Sequence, residues 1–573
     1  MADRVPSSGP TPAPTLDPAP TLDLDQRVKD DVSVDAVVIG SGHNGMVAAC
    51  HLAAAGLSVE VVESDDVLGG AVSTVERWPG VRVDRGSSAH VIIRHSGIVE
   101  ELDLAAHGLR YVDCDPWGFA PAPSPGSDGP DGRPVVFSVD LDATCASIEA
   151  ACGPDDAAAY RRFVRVWGPR SAQVVRAFGD RPSPGRLVRN LWPLGAPAPG
   201  RPRTDGGELA TDFLGSGDAL LDRWFTSERL KAALAWFGAQ SGPPMSEPAT
   251  AAMVGWVALL HDTPPGHPVG GSGGLTQALA RRLESDGGRV TLDDGAARLL
   301  VTDGVVTGVQ TESGRRLHAP VVVAACHVLA TRAIAGEHAP PALADADPPL
   351  GNGFGLVVRC QTDALPHYPG TTGDEALQGL QLLCTDRAVL ARAHGDFLAG
   401  ELPREPVPLA MSFSASDDTL APPGQHVVTL WGQWYPYRLG DGRDWDTIAE
   451  AEAARLVDAV DRFAPGFADS VQRVYVQTPL QLERELSLPR GNVMHVEMSL
   501  ASMFTFRPTP ALSGHRVPGL AGLYLAGAST HPGGGVSGNS GRTAARVALA
   551  DRRPLARARR RVVASVAARL SRS

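Results

Sequence analysis

The sequence predicts an α/β fold: a parallel sheet covered by helices, interrupted by a second region of mixed sheet and helices. Three observations carry this. An apolar run at residues 34–39 leads into closely spaced glycines and then an alanine-rich helical pattern. The same succession of apolar strand, glycine-dense loop and helix returns at residues 522–550. Between the two, a chain of 573 residues is longer than one core supports, so at least two structural regions are expected.

The first unit reads as a βαβ beginning. Residues 34–39 look like a buried parallel strand, residues 46–55 like a helix ended by Gly56, and residues 58–62 like a second strand closed by Glu63. Helical patterns follow at 157–178, 217–239 and 250–260, separated by Pro/Gly-rich loops at 121–134 and 182–206. Residues 275–285 read as helix, and 289–292, 297–302, 305–311 and 321–325 as strands. Asp303 and Gly304 mark a hairpin turn between the second and third of these. Further strands are expected at 355–360, 409–415 and 426–435, and a helix at 446–463.

The chain thus divides into a disordered tail (1–33), three segments of a nucleotide-binding domain (34–98, 266–340 and 491–550) and two of a substrate domain (99–265 and 341–490). A basic tail (551–573) completes it. The first tail is rich in Pro, Ala, Ser, Thr and Asp, which cannot bury a core.

Bulk properties exclude several functions. The net charge of −12 argues against a nucleic-acid partner. The seven cysteines form no Cys-x-x-Cys pair, so neither a metal site nor a redox dithiol is expected. Free thiols, no secretory pattern and no run of about 18 apolar residues point to the cytoplasm.

Gly40, Gly42 and Gly45 fall in the Gly-x-Gly-x-x-Gly spacing between a strand and a helix, with Asn44 inside it. The first glycine permits a tight turn, the second admits a pyrophosphate to the backbone, and the third lets helix and strand pack. The helix start offers free N–H groups to phosphates. Glu63 is placed to accept hydrogen bonds from ribose hydroxyls and would repel a 2′-phosphate. Gly69, Gly70 and Ala71 follow in a loop that by itself reads as a turn; its place resembles the loop that lies along the FAD diphosphate in flavoproteins built like glutathione reductase, which favours FAD over NAD. Near the other end, Gly527, Gly534, Gly535 and Gly538 line a loop before a helix, presenting N–H groups to the electron-rich edge of a flavin. No second dinucleotide fingerprint is present: the glycines at 351, 353 and 355 precede a strand.

With those motifs in view, residues 37–45 and 525–535 resemble the phytoene desaturase-related flavoproteins. Among these, the sequence looks most like the pyridine nucleotide-disulfide oxidoreductase domain-containing protein 2 branch. Gly491, His495, Glu497, Phe504, Arg507 and Pro508 look like that branch, as do residues 416–426. The resemblance covers residues 34–550. It implies a Rossmann-like, glutathione reductase-like FAD-binding domain with an inserted α+β substrate domain. It implies FAD as cofactor, and a phytoene dehydrogenase-like enzyme moving hydride from C–H bonds of an apolar, carotenoid- or isoprenoid-like small molecule to the flavin. Electrons then leave to an external acceptor, oxygen or a quinone. Two positions depart from the pattern: Ala71 stands where an arginine is frequent, and Ala528 where an acid is frequent in the wider superfamily.

His495, Glu497 and His531 sit beside the cofactor motifs as candidates for a catalytic base or for orienting substrate; for the histidines a structural role weighs equally. Trp431, Trp434, Tyr435 and Tyr437 read as core or as an apolar channel. The basic tail carries eight arginines with Val562, Val563, Val566 and Leu570 at helical spacing, which reads as a solvated tail or as peripheral contact with an anionic membrane. Two rival functions remain open: a flavin amine oxidase and a non-catalytic regulatory flavoprotein.

Overall fold

The computed structural model describes residues 31–123, 130–194, 206–371 and 373–552. The N-terminal tail through residue 30 and the basic tail from residue 553 lie outside the described residues.

Strand Ala36–Ile39 is fully buried at the centre of a five-stranded, all-parallel sheet. The order across it is Arg289–Thr291, Val59–Val62, Ala36–Ile39, Val321–Ala324 and Leu523–Leu525. Val38 is in register with Val61 on one side and Val323 on the other. These strands read as unbroken apolar runs because both faces are covered. Helices His43–Ala54, Gly273–Ser285 and Asn539–Arg552 pack on one face, where Met46, Leu279 and Ala544 share a core with Val38 and Val61. Antiparallel strands Ala296–Thr302, Val305–Thr311 and Arg316–His318 cover the other, burying Val309 and Leu317 against Val37 and Val322. Asp303 and Gly304 both take positive φ in the hairpin turn, as their sequence predicts.

A second, seven-stranded mixed sheet includes Gly353–Thr362, His426–Pro436 and Pro408–Met411. Helices from the 141–259 stretch lie against it, and the Trp236 indole donates to the Pro408 carbonyl at 3.1 Å. Arg359, buried in this sheet, donates to Ser88 Oγ (3.1 Å) and to the Gly86 carbonyl (2.9 Å), joining the sheet to the first domain.

Several expectations need correction. Order begins before residue 34, since strand Asp31–Ser33 pairs in parallel with Arg316–His318; its partner is remote, so local composition gives no sign of it. Leu102, Leu104 and Leu109 pack in the nucleotide-binding core although they fall beyond the boundary drawn at residue 98. The basic tail starts after Arg552: Asp551 is still helical and bound by Arg516 through two bonds of 2.9 Å. The helix expected over 217–239 is two, Gly217–Trp224 and Glu228–Ala239, broken where Phe225 turns extended. The loop expected over 182–206 holds helix Pro184–Leu191, capped by Ser183 with Pro184 in its first turn. Trp434 and Tyr435 fill core positions, and Tyr437 bonds Glu483, so core packing prevails over a channel there.

Candidate active site

The fingerprint loop is fixed by backbone geometry. Gly40 turns at φ +98°, and its N–H donates to the Val62 carbonyl at 2.8 Å. A Cβ on Gly45 would stand 2.1 Å from the Gly40 carbonyl oxygen, so only glycine lets the helix sit this close to the strand. Gly42 is different: a Cβ there would meet nothing within 4 Å. The helix it precedes has no side-chain cap, leaving first-turn N–H groups free for an anion. His43 Nε2 and Asn44 Oδ1 nearby are buried without partners. Burial holds the His43 ring at about 4, uncharged.

Glu63 ends strand Val59–Val62 and faces this loop. Its Oε2 accepts from the Ser41 N–H at 2.7 Å and its Oε1 from the Asp65 N–H at 3.0 Å. Ser41 Oγ in turn accepts from the Gly69 N–H at 3.0 Å, bringing the second glycine loop alongside. Gly70 stands over Gly42, with 3.8 Å between its Cβ position and the Gly42 Cα. The Ala71 carbonyl accepts from the Ser87 N–H at 2.9 Å.

The third segment closes over the first. The Gly527 carbonyl accepts from the Thr530 N–H (3.0 Å) and Oγ1 (2.7 Å) and from Ser540 Oγ (3.2 Å). Gly535 is exposed within an otherwise buried loop. Gly534 instead packs on Met494, whose Cα lies 2.8 Å from its Cβ position, and Gly538 packs on Ile98 and Val47. These two glycines serve close packing within the protein itself. Sequence reading missed Gly541: a Cβ there would meet the Asn44 carbonyl at 1.9 Å, so the last helix crosses the first at backbone contact.

The three candidate catalytic residues separate. His531 is buried between Phe178 (ring centroids 5.9 Å) and Phe504 (5.5 Å). Neither ring nitrogen makes a hydrogen bond, although the Ala177 carbonyl is near, and burial lowers its pKa to about 3. His495 has φ +65° and an unpartnered Nδ1; desolvation, then His327, Arg507 and His43, hold it uncharged. It stacks on His327 at 5.9 Å, and His327 Nε2 bonds its carbonyl at 3.0 Å. Glu497 is exposed beside Gly351, its carboxyl raised by desolvation and lowered in part by Arg490. The intervening Val496 turns inward and is fully buried, so Glu497 does not join the histidines. Phe178, Trp256 and Phe504 make an aromatic wall with His531, with Phe178 5.7 Å from each of the other two.

Fold and cradle define an oxidoreductase built on a dinucleotide-binding domain with an inserted substrate domain. Residues 38–102 match the family model for an NAD(P)-binding Rossmann-like domain. The chain is 31% identical to pyridine nucleotide-disulfide oxidoreductase domain-containing protein 2 of Rattus norvegicus, over 90% of this chain and 93% of that one. It is 26% identical to the neurosporene-forming phytoene desaturase of Cereibacter sphaeroides, over 91% and 95% respectively. The chain belongs to the family of pyridine nucleotide-disulfide oxidoreductase domain-containing protein 2. A putrescine oxidase structure superposes with a TM-score of 0.58 at 14% identity, covering 91% of this chain and 99% of that one, and so shares its fold.

Proposed function

We propose that the protein binds FAD and oxidises C–H bonds of an apolar, isoprenoid-like substrate, passing the electrons to oxygen or a quinone. The observation that carries the reading is the pairing of an open dinucleotide cradle with an apolar, uncharged wall. Gly42 leaves room for a pyrophosphate at a helix start, and Glu63 stands ready for ribose hydroxyls. Phe178, Trp256 and Phe504 offer apolar surface, and His531 among them carries no charge at neutral pH. Bound FAD supplies the acceptor for the substrate's hydrogen and electron pair. A ring with a pKa of about 3 is neither a general acid nor an effective base at neutral pH, so His531 serves to orient substrate.

Support also comes from relatives named as phytoene desaturases, whose named substrate is apolar. A disulfide relay has no basis: all seven cysteines are free, and burial pushes Cys326 up to about 11 and Cys50 to about 12. Among the described residues no helix is long and apolar enough to cross a membrane. We read the protein as cytoplasmic, with any membrane contact made through the basic tail.

The test is the absorbance spectrum of purified protein before and after anaerobic substrate addition. Oxidised-flavin bands near roughly 375 and 450 nm, bleached by a polyene, support the reading. Bleaching by amines alone would replace it with an amine oxidase. FAD that no metabolite bleaches would point to a regulatory flavoprotein, and protein that stays colourless with added FAD would overturn the flavin itself.

A further inference from the structure

Arg507 is fully buried, yet no carboxylate pairs with it among the described residues. Its Nη1 donates to the Val496 and Glu497 carbonyls, each at 3.2 Å, with the Ser502 carbonyl and Met498 Sδ both at 3.5 Å. Its Nη2 donates to the Met494 carbonyl and, at 2.9 Å, to that of Ala528. Nε has no partner. Glu497 contributes only its carbonyl, while its carboxylate feels Arg490 instead. A Cβ on Gly533 would lie 3.2 Å from the guanidinium carbon, which puts the cation directly behind the 528–535 loop.

Buried cations are ordinarily paired, because an uncompensated charge in a low-dielectric interior is costly. Carbonyl dipoles take up the hydrogen bonds of its two Nη groups without cancelling its unit of charge. The histidines that feel it, His327, His495 and His531, are held neutral by burial and so neither share nor offset it. Burial itself draws Arg507 down to about 9, which leaves it charged at neutral pH.

We propose that Arg507 is a positioning residue that holds an uncompensated positive charge behind the 528–535 loop and so makes the bound flavin easier to reduce. The proposal rests on the flavin reading above. Reduction adds electrons to the flavin, and a fixed buried cation favours that added charge through low-dielectric surroundings. Arg507 has no exposed surface, so it acts through the field and through the loop it ties, not by contact.

The test compares R507K, R507M, M498E and M498Q with the unaltered protein. Flavin absorbance comes first: a wild-type protein that never holds flavin overturns the flavin reading and this proposal with it. In loaded protein the two-electron midpoint potential is then measured against a reference dye. R507K, which keeps the charge, should stay near the wild-type potential. R507M should shift the equilibrium toward oxidised flavin at least tenfold, about 30 mV for two electrons. M498E supplies the missing counter-charge while leaving Arg507 and its carbonyl bonds in place, and it should fall below M498Q by a similar factor. That pair decides the matter if R507M fails to fold. An R507M potential within about 14 mV of wild type (threefold in the equilibrium), or equal potentials in M498E and M498Q, would overturn the proposal, and a lowered Tm alone would mark Arg507 as a structural tie.

Discussion

Replacing Gly541 by alanine adds one methyl group at the crossing of the first and last helices. The new Cβ would stand 1.9 Å from the Asn44 carbonyl oxygen and 3.1 Å from the Ala48 nitrogen. Both are backbone atoms of a helix whose other face is buried against the sheet, so no side chain can swing aside. An ordinary carbon–oxygen contact needs about 3.2 Å, which forces the helices apart by roughly 1 Å. Overpacking of this kind costs about 1–3 kcal/mol, and the backbone obstruction puts Gly541→Ala at the upper end. A loss near ~3 kcal/mol corresponds to a fall in Tm of about 6–12 °C in a domain of this size. The Asn44 end of the first helix also borders the cradle, so flavin content should fall along with Tm. Gly395→Ala is the control: it lies within helix Arg387–Leu398 with nothing within 4 Å of its Cβ position. There alanine should be neutral or stabilising by up to ~1 kcal/mol. Differential scanning fluorimetry with the absorbance ratio of flavin to protein reads both effects. A Gly541→Ala protein that melts within 2 °C or so of wild type and stays fully loaded would refute the close crossing.

Glu63→Ala removes a carboxylate from the cradle; bonds to charged groups are worth about 1.5–3 kcal/mol, so flavin should bind roughly 10–100-fold more weakly by fluorescence titration, and an unchanged Kd would refute its role. Burial raises the Asp417 carboxyl, but bonds from His267, Thr419 and the Gly270 N–H outweigh it and set it at about 2 against an ordinary 3.8. Its stabilisation is present above pH 3.8 and lost as pH falls through 2, so Asp417→Asn should cost ~2 kcal/mol at pH 7, with the Tm gap closing in acid. Burial holds His327 and His515 at about 4 and His531 at about 3, all below 6.5. The unfolded chain therefore takes up protons first, and each ring withdraws on the order of 1 kcal/mol by pH 5.5; a Tm flat between pH 7.5 and 5 would contradict this.

What the sequence revealed was chemistry that a few neighbouring residues determine together. Gly40, Gly45 and the turn at Asp303 and Gly304 each answer a local backbone demand, and Glu63 closes a strand whose apolar run is self-evident. Ser183 and Pro184 carried an equally local helix signal, masked by the density of Pro and Gly around them. Other features depend on partners hundreds of positions away. Gly541 matters because Asn44 is opposite it, and strand Asp31–Ser33 exists because Arg316–His318 offers it an edge. Arg507 is set apart by the carboxylate it lacks among the described residues, an absence no pattern of residue types can display. Whether His495 and Glu497 would face the same way was not legible either, because two positions along an irregular loop fix neither direction nor depth.

The parallel sheet draws its strands from residues 36–62, 289–324 and 523–525, so the ribosome finishes the cofactor domain last. Until the final strand arrives, Val321–Ala324 is an unpaired apolar edge, inviting self-association in the nascent chain. A chain cut before Leu523 would consequently leave the sheet one strand short, with that apolar edge open to a neighbouring molecule.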